Sequence, residues 1–224
     1  GEEIFHGTDP KSANSFSALP FIENFETNTV TPGDLNGKNG WTASPAGTMN
    51  VQTNVKAQGS QAVELNVGST TNARPSAQHL LGSQGAGVVW FDWQVKAAPA
   101  TAPSGTPSVA AALYFNEDGN LVVYDGSQSA WVTLSSVSVD PDAWTRVSLK
   151  LDYSSRKWLV CVNNALAADD LGFAVPVSEA SFFKMEADRG FLDALSISTD
   201  IPAGIDMDAN SLPDAWEMEY FGST

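Results

Sequence analysis

The chain has 224 residues, and 11 Lys and Arg against 26 Asp and Glu leave a formal net charge of −15. That balance argues against a nucleic-acid partner, because phosphate binding needs clustered cations. No run of about 18 apolar residues occurs, which argues against a membrane-spanning helix, while a chain of this length buries roughly 70% of its unfolded surface, enough for a sizeable core.

Residues 1–19 are polar and aperiodic and read as a leader with no promise of order. No charged-then-apolar signal segment is visible, so a secreted protein of this sequence is expected in mature form. Beyond the leader, short apolar segments alternate with turn residues. Strands are expected near 21–26, 49–55, 61–67, 87–96, 108–116, 120–125, 130–134, 144–152, 156–163, 181–187 and 190–198, and helical periodicity is almost absent before residue 213. Many short strands punctuated by Gly, Pro, Asn and Asp predict an all-β fold, a two-layer antiparallel β-sandwich over 20–199.

Two hairpins are well specified. Between Leu113-Tyr114-Phe115 and Leu121-Val122-Val123-Tyr124, the pair Asp118-Gly119 supplies the positive φ of a tight turn. Between 144–151 and 156–162 lies the turn Asp152-Tyr153-Ser154-Ser155. In the first of those strands Val147, Leu149 and Leu151 face one way, and Arg146, Ser148 and Lys150 the other, which predicts one core face and one wet face. The Pro- and Ala-rich stretch 97–107 reads as a long surface loop of a kind that is often functional. No internal repeat of fixed period is visible.

Cys161 is the single cysteine, so the fold cannot depend on an internal disulfide, and its apolar run Trp158 to Val162 predicts a buried small hydrophobe. His6 and His79 are far apart and in no metal-binding spacing, which speaks against zinc or histidine catalysis.

The order Phe25-Glu26, Gly40-Trp41, Gly59-Ser60-Gln61-Ala62, Tyr114-Phe115 with Asp118-Gly119-Asn120-Leu121, Trp144-Thr145-Arg146-Val147, Leu151-Asp152-Tyr153 and Phe191 to Ile197 resembles the laminin-G-like, concanavalin A-like lectin/glucanase jelly roll of secreted bacterial proteins. The resemblance spans about 20–199. It implies a secreted or cell-surface module among lectins, carbohydrate-binding modules, glucanases and adhesins.

The sharpest chemistry lies in the tail, 200–224. Asp206, Asp208, Asn210, Asp214 and Glu217 occupy positions 1, 3, 5, 9 and 12 of a twelve-residue loop, and Leu212 at position 7 offers a backbone carbonyl. That is the oxygen spacing of a calcium loop closed by a carboxylate from a following short helix. Pro213 suits the start of that helix, and Trp216 and Tyr220 share one of its faces. Position 6 is Ser211 where such loops favour Gly, at a cost of roughly 1–2 kcal/mol if the residue is left-handed. The segment from 200 onward has six acidic residues and no Lys or Arg, so either a cation neutralises it or it is a solvated acidic tail. It also resembles dockerin-like and thrombospondin type 3-like calcium repeats. Those come in series, which makes the chain part of a larger multidomain protein by expectation. The β-sandwich resemblance implies a second calcium site at Glu26 and Asp193; the alternative is a hydrogen-bonded Asp193 capping a turn.

Catalysis has little support in the pattern. A glucanase of this fold places carboxylates on alternate strand residues, about 5–5.5 Å apart. The only such pair, Glu186 and Asp188, gains no third carboxylate, and Glu23 and Glu26 would face opposite sides. Binding is easier to support. In 88–95 the face Val89, Phe91, Trp93, Val95 reads as core, leaving Trp90, Asp92 and Gln94 opposite, where an aromatic ring beside polar acceptors suits a sugar. Tyr114, Asn116, Glu64 and Asn66 are candidates for the same surface. The competing expectation packs Trp90 against a second layer or loop. The resulting expectation is a non-catalytic carbohydrate-binding or adhesion module with calcium and a glycan partner. A glycoside hydrolase and a plain interaction module are the alternatives.

Overall fold

The computed structural model describes residues 17–66, 74–82, 87–103, 105–186, 189–206, 210 and 212–222. Among the described residues, fifteen strands and one helix follow in order: β1 (Phe21–Glu23), β2 (Gly33–Asp34), β3 (Trp41–Ser44), β4 (Met49–Gln52), β5 (Ala62–Asn66), β6 (Ser76–Leu80), β7 (Val88–Ala97), β8 (Leu113–Phe115), β9 (Asn120–Asp125), β10 (Ala130–Ser138), β11 (Thr145–Asp152), β12 (Lys157–Val162), β13 (Ala165–Gly172), β14 (Phe182–Glu186), β15 (Arg189–Ser198) and α1 (Asp214–Phe221). The fold is a two-layer antiparallel β-sandwich.

One layer is a large sheet in the order β13-β12-β11-β7-β15-β5-β4-β2, with β1 also paired to β15. The other layer consists of two three-stranded sheets, β10-β9-β8 and β14-β6-β3. Alternation decides which residues meet between the layers. Val89, Phe91 and Trp93 of β7 and Val147, Leu149 and Leu151 of β11 are buried on one face, joined there by Leu121, Val123 and Phe115 from the smaller sheets. Phe183 of β14 meets Phe91 at 6.5 Å and Trp93 edge-on at 5.5 Å, stitching the layers together.

The Asn116–Asn120 turn forms as its residues require. Asn116 Oδ1 accepts the N–H groups of Asp118 and Asn120 at 3.0 and 2.9 Å, and Gly119 takes φ +77° where an added Cβ would lie 2.9 Å from Val139 O. At the second hairpin Asp152 Oδ1 accepts from the Ser154 and Ser155 N–H groups.

Several expected boundaries shift. The strand expected at 108–116 pairs only over 113–115, because the preceding residues belong to the Pro-rich crossing, and β10 runs on to 138 past a bulge. Strands β2, β3, β6 and β13 fall where none was expected. The outer face of β11 is also drier than its polar residues imply: Ser148 is buried at 1% exposure. Its cover is the tail. Trp90, Leu159, Cys161 and Ile205 form a second, smaller cluster there, with Val88, Leu166 and Ile201 against it.

Candidate functional site

The face that alternation assigns to Trp90, Asp92 and Gln94 is occupied by the protein itself. Trp90 is 2% exposed and packs within the second cluster, so it offers no platform to a sugar; this corrects the open-face expectation. Asp92 is gripped by Arg146, whose Nε and Nη2 donate to its two carboxylate oxygens at 2.8 and 3.0 Å, and by the Ser148 hydroxyl at 2.5 Å. The same guanidinium donates through Nη1 to Asn164 Oδ1 and to the Ala203 carbonyl, both at 2.9 Å. Asp92 therefore orients a clamp on the tail. Gln94 is half-buried on β7, opposite Arg146 on β11 and Asp193 on β15. Asn116 spends its side-chain carbonyl on the hairpin turn.

Tyr114 stands differently. It is half-buried on β8 and meets Trp131 of β10 edge-to-face at 5.2 Å, while Tyr124 also meets that indole edge-to-face at 5.2 Å. Tyr114 and Trp131 line a cavity of about 530 Å³. Its floor is the inner face of β7 and β11, with Phe91, Trp93 and Leu149; Phe183 and Met185 of β14 form one wall, and the Pro-rich crossing from Ala98 to Ala112 forms another. The Nε1 of Trp131 is buried with no hydrogen-bond partner among the described residues. A buried donor without a partner costs free energy. Sequence reasoning missed this arrangement because Trp131 opens a strand whose neighbours give no clear face; the long Pro-rich loop was the usable signal.

Glu26 and Asp193 do come to one place, the loop 57–61, but N–H and O–H donors already serve them. Asp193 is fully buried; its Oδ2 accepts from Ala57 and Gln58 at 2.9 and 3.1 Å, and its Oδ1 from Ala194 at 2.7 Å. Burial pushes its carboxyl above the usual range, and the Glu26 charge adds to this. Glu26 accepts from the Ser60 hydroxyl and from the Ser60 and Gln61 N–H groups, which hold its carboxyl below the usual range. Neighbouring Glu23 is saturated likewise by Phe25 N–H, Thr29 and Asn39. These bonds staple strand ends to the loop, where Gln61 is fully buried with its Nε2 donating to the Phe25 and Val30 carbonyls and its Oε1 without a hydrogen-bond partner among the described residues.

At the tail, Asp208 and Ser211 lie outside the described residues, as do His6, Asp188 and the side chain of Asn66. The rest of the loop is gathered. Asn210 donates Nδ2 to Glu217 Oε1 at 2.7 Å and accepts the Leu212 N–H at 2.8 Å, and Asp206 Oδ1 accepts the Asn210 N–H at 3.2 Å. The Asp214 N–H returns to the Ile205 carbonyl at 2.8 Å. Glu217 is 6% exposed, and its Oε2 has no partner among the described residues. A buried carboxylate oxygen with no donor is the signature of a missing cation or proton, so the donor set fits a hard cation held by oxygens. Among the described residues, no three His, Cys, Asp or Glu side chains already converge at metal distance. Beyond the loop, α1 lies against β13: Tyr220 donates to Asp169 Oδ2 at 2.7 Å.

No carboxylate dyad appears among the described residues singled out for catalysis. Glu186 is exposed and paired with Lys184, and Asp92 with Arg146. Cys161 is fully buried and its thiol is pushed up to about 12 by that burial, which makes it inert. Among the described residues, no helix is long and apolar enough to cross a membrane.

No protein-family model and no curated protein matches the sequence. Solved structures do match in shape. A sialidase superposes with a TM-score of 0.58 at 9% identity over 87% of this chain, which spans only 20% of the sialidase. A carbohydrate esterase from the Shiga toxin-encoding bacteriophage phi24B gives 0.51 at 15% identity, over 71% of this chain and 89% of that one. Domain 4 of an extracellular GH43 arabinanase from Geobacillus stearothermophilus, in complex with arabinotriose, gives 0.52 at 19% identity, over 79% and 89%. At these identities the likeness is one of fold: the chain is similar to β-sandwich domains found in proteins that handle carbohydrate.

Proposed function

We propose that the chain is a non-catalytic carbohydrate-binding or adhesion module of a secreted bacterial protein, one domain of a larger assembly, with calcium as a structural ion in the 206–217 loop. The observation that carries the binding reading is the aromatic pair Tyr114 and Trp131 on the 530 Å³ cavity. A sugar presents its C–H face to an aromatic ring, and rings line this cavity. The arabinotriose complex of the similar arabinanase domain lends support at the level of fold. The non-catalytic reading is supported by the carboxylates Asp193, Glu26, Asp92 and Glu186, each of which is committed to a donor or a cation of the protein.

Calcium is assigned to Asp206, Asn210, Asp214, Glu217 and the Leu212 carbonyl, with Asp208 implied by spacing. It would supply charge neutralisation and a rigid loop. Glu26 and Asp193 are not included, because their oxygens are already served.

A glycan array followed by calorimetry tests the binding reading. Arabinan, xylan and other plant and bacterial polysaccharides are offered in calcium, and Trp131→Ala and Tyr114→Ala each weaken the bound glycan roughly tenfold or more, as loss of a stacking anchor does. Failure to bind any glycan, or undiminished binding by both variants, removes this reading.

A further inference from the structure

The face of the large sheet that points away from the main core carries a groove of about 370 Å³, which is of ligand-site size. Strand register sets its floor. Lys150 lies opposite Leu159, and Asp152 opposite Lys157, on the side of β11 and β12 that alternation turns outward. β13 adds Asp169 and Asp170, and α1 forms another wall with Trp216 and Tyr220, whose rings lie 4.7 Å apart. The Tyr220 hydroxyl donates to Asp169 Oδ2 at 2.7 Å, which docks the helix, and Lys157 Nζ donates to the Asp170 carbonyl at 3.0 Å. Tyr220 is nevertheless 54% exposed. Among the described residues, three of the four exposed large hydrophobics, Met218, Tyr220 and Phe221, stand on this one helix. Large apolar side chains left in water beside a concave surface mark a binding site.

We propose that this groove is a second carbohydrate site, separate from the cavity of Tyr114 and Trp131, and that it takes a neutral polysaccharide. It rests on the carbohydrate-binding reading of the chain. The two sites use opposite faces of β11, with Leu149 on the cavity side and Lys150 on the groove side. Charge decides the class of ligand. The chain has 26 acidic residues against 11 basic ones, yet in the groove two lysines stand among three aspartates. A polyanion would meet those aspartates, and an apolar peptide would strand charges of both signs. Sugar hydroxyls both donate and accept, so ammonium donors and carboxylate acceptors in near-equal number serve them together. The exposed Tyr220 ring, with Trp216 beside it, covers the C–H face that remains.

Calorimetry on the full chain separates the two sites, with xylohexaose, arabinohexaose and cellohexaose as neutral probes and polygalacturonate as the acidic one. Trp131→Ala disables the cavity and keeps binding a neutral probe. Adding Tyr220→Ala to it weakens that binding about tenfold or more, as loss of a ring anchor does. Lys150→Met, which keeps the stem and removes the donor on β11, weakens it about fivefold. Tyr220→Phe keeps the ring and stays within about threefold of its parent; a loss equal to that of Tyr220→Ala would assign the effect to helix docking and overturn the ring platform. Loss of all binding in Trp131→Ala overturns the groove and leaves the cavity reading standing. Wild-type binding that Tyr220→Ala removes, and that Trp131→Ala and Tyr114→Ala leave intact, supports the groove and overturns the cavity. Tighter binding of polygalacturonate than of the neutral probes overturns the ligand class. Binding of no probe at all, or binding untouched by every variant, removes both sites.

Discussion

His79 shows how burial turns an ordinary side chain into a pH liability. The imidazole is 2% exposed, stacked on Phe21 at 4.0 Å and beside Trp41 at 5.3 Å, with Nε2 bonded to Ser17 Oγ at 3.0 Å. Burial lowers its pKa from 6.5 to about 4. The unfolded chain therefore takes up the proton first, and stability falls as pH drops from about 6.5 to about 4, by about 3 kcal/mol across that window. Above pH 6.5 this contribution is whole. Urea unfolding at half-unit pH steps measures it, and His79→Phe flattens the slope in this window. Asp125 governs the next window down. Burial alone would raise its carboxyl, but hydrogen bonds from Ser127, Gly172 and Gln128 outweigh that and hold it at about 2. Its stabilisation is present above pH 3.8 and is lost as pH falls through about 2. Asp125→Asn turns an NH2 donor toward groups that themselves donate and costs about 2 kcal/mol at neutral pH. The difference from wild type closes at pH 2, where the same urea series finds the two chains alike.

At the scale of elements, one side chain ties the tail to two strands of the sandwich at once. Arg146 reaches from β11 to Asp92 on β7, to Asn164 and to Ala203. Arg146→Met leaves the partly buried Asp92 with only the Ser148 hydroxyl, and stranding a charge in this way costs about 3 kcal/mol. Chemical denaturation should show that loss, and Asp92→Asn in the same background should recover part of it by removing the stranded charge. The hairpins that carry Arg146 and the turn at Gly119 were legible, because Asp-Gly and strict alternation are local signals. Strands β3, β6 and β13 were not. In β6 a polar run, Ser76 to Leu80, hides two inward residues, Ala77 and His79, and β13 is a bulged edge strand of small and acidic residues. Docking of the tail was legible only in part. Trp90 and Cys161 are too apolar for a wet face, and Ile201 and Ile205 are the apolar residues of an acidic segment, but no local pattern pairs residues separated by more than 40 positions. The same distance hid the cavity, whose walls come from β7, β8, β10, β14 and the Pro-rich crossing.

For the molecule as a whole, the net charge of −15 sets the background against which the loop acts. Self-repulsion in a chain this acidic opposes compaction, and salt relieves it over a Debye length of about 8 Å at 0.15 M. Any added cation will therefore raise the melting temperature at low ionic strength, whether or not it occupies a site. The two effects separate by their concentration dependence. Against 0.15 M sodium chloride, micromolar to millimolar calcium hardly changes the ionic strength, so calcium acting as a mere counter-ion adds little there. Calcium bound to the folded loop keeps adding stability, by about 1.4 kcal/mol for each tenfold rise once the site is saturated. Glu217→Gln keeps the shape of the closing residue and removes its charge. In 0.15 M sodium chloride, micromolar to millimolar calcium should raise the melting temperature of the wild-type chain stepwise and leave that of the variant unmoved. Magnesium should substitute poorly, since its octahedral demand suits a flexible ring of carboxylate, amide and carbonyl oxygens less well than calcium's does. Equal responses of the two chains would mean that the fifteen excess negative charges, and not the loop, are what calcium serves.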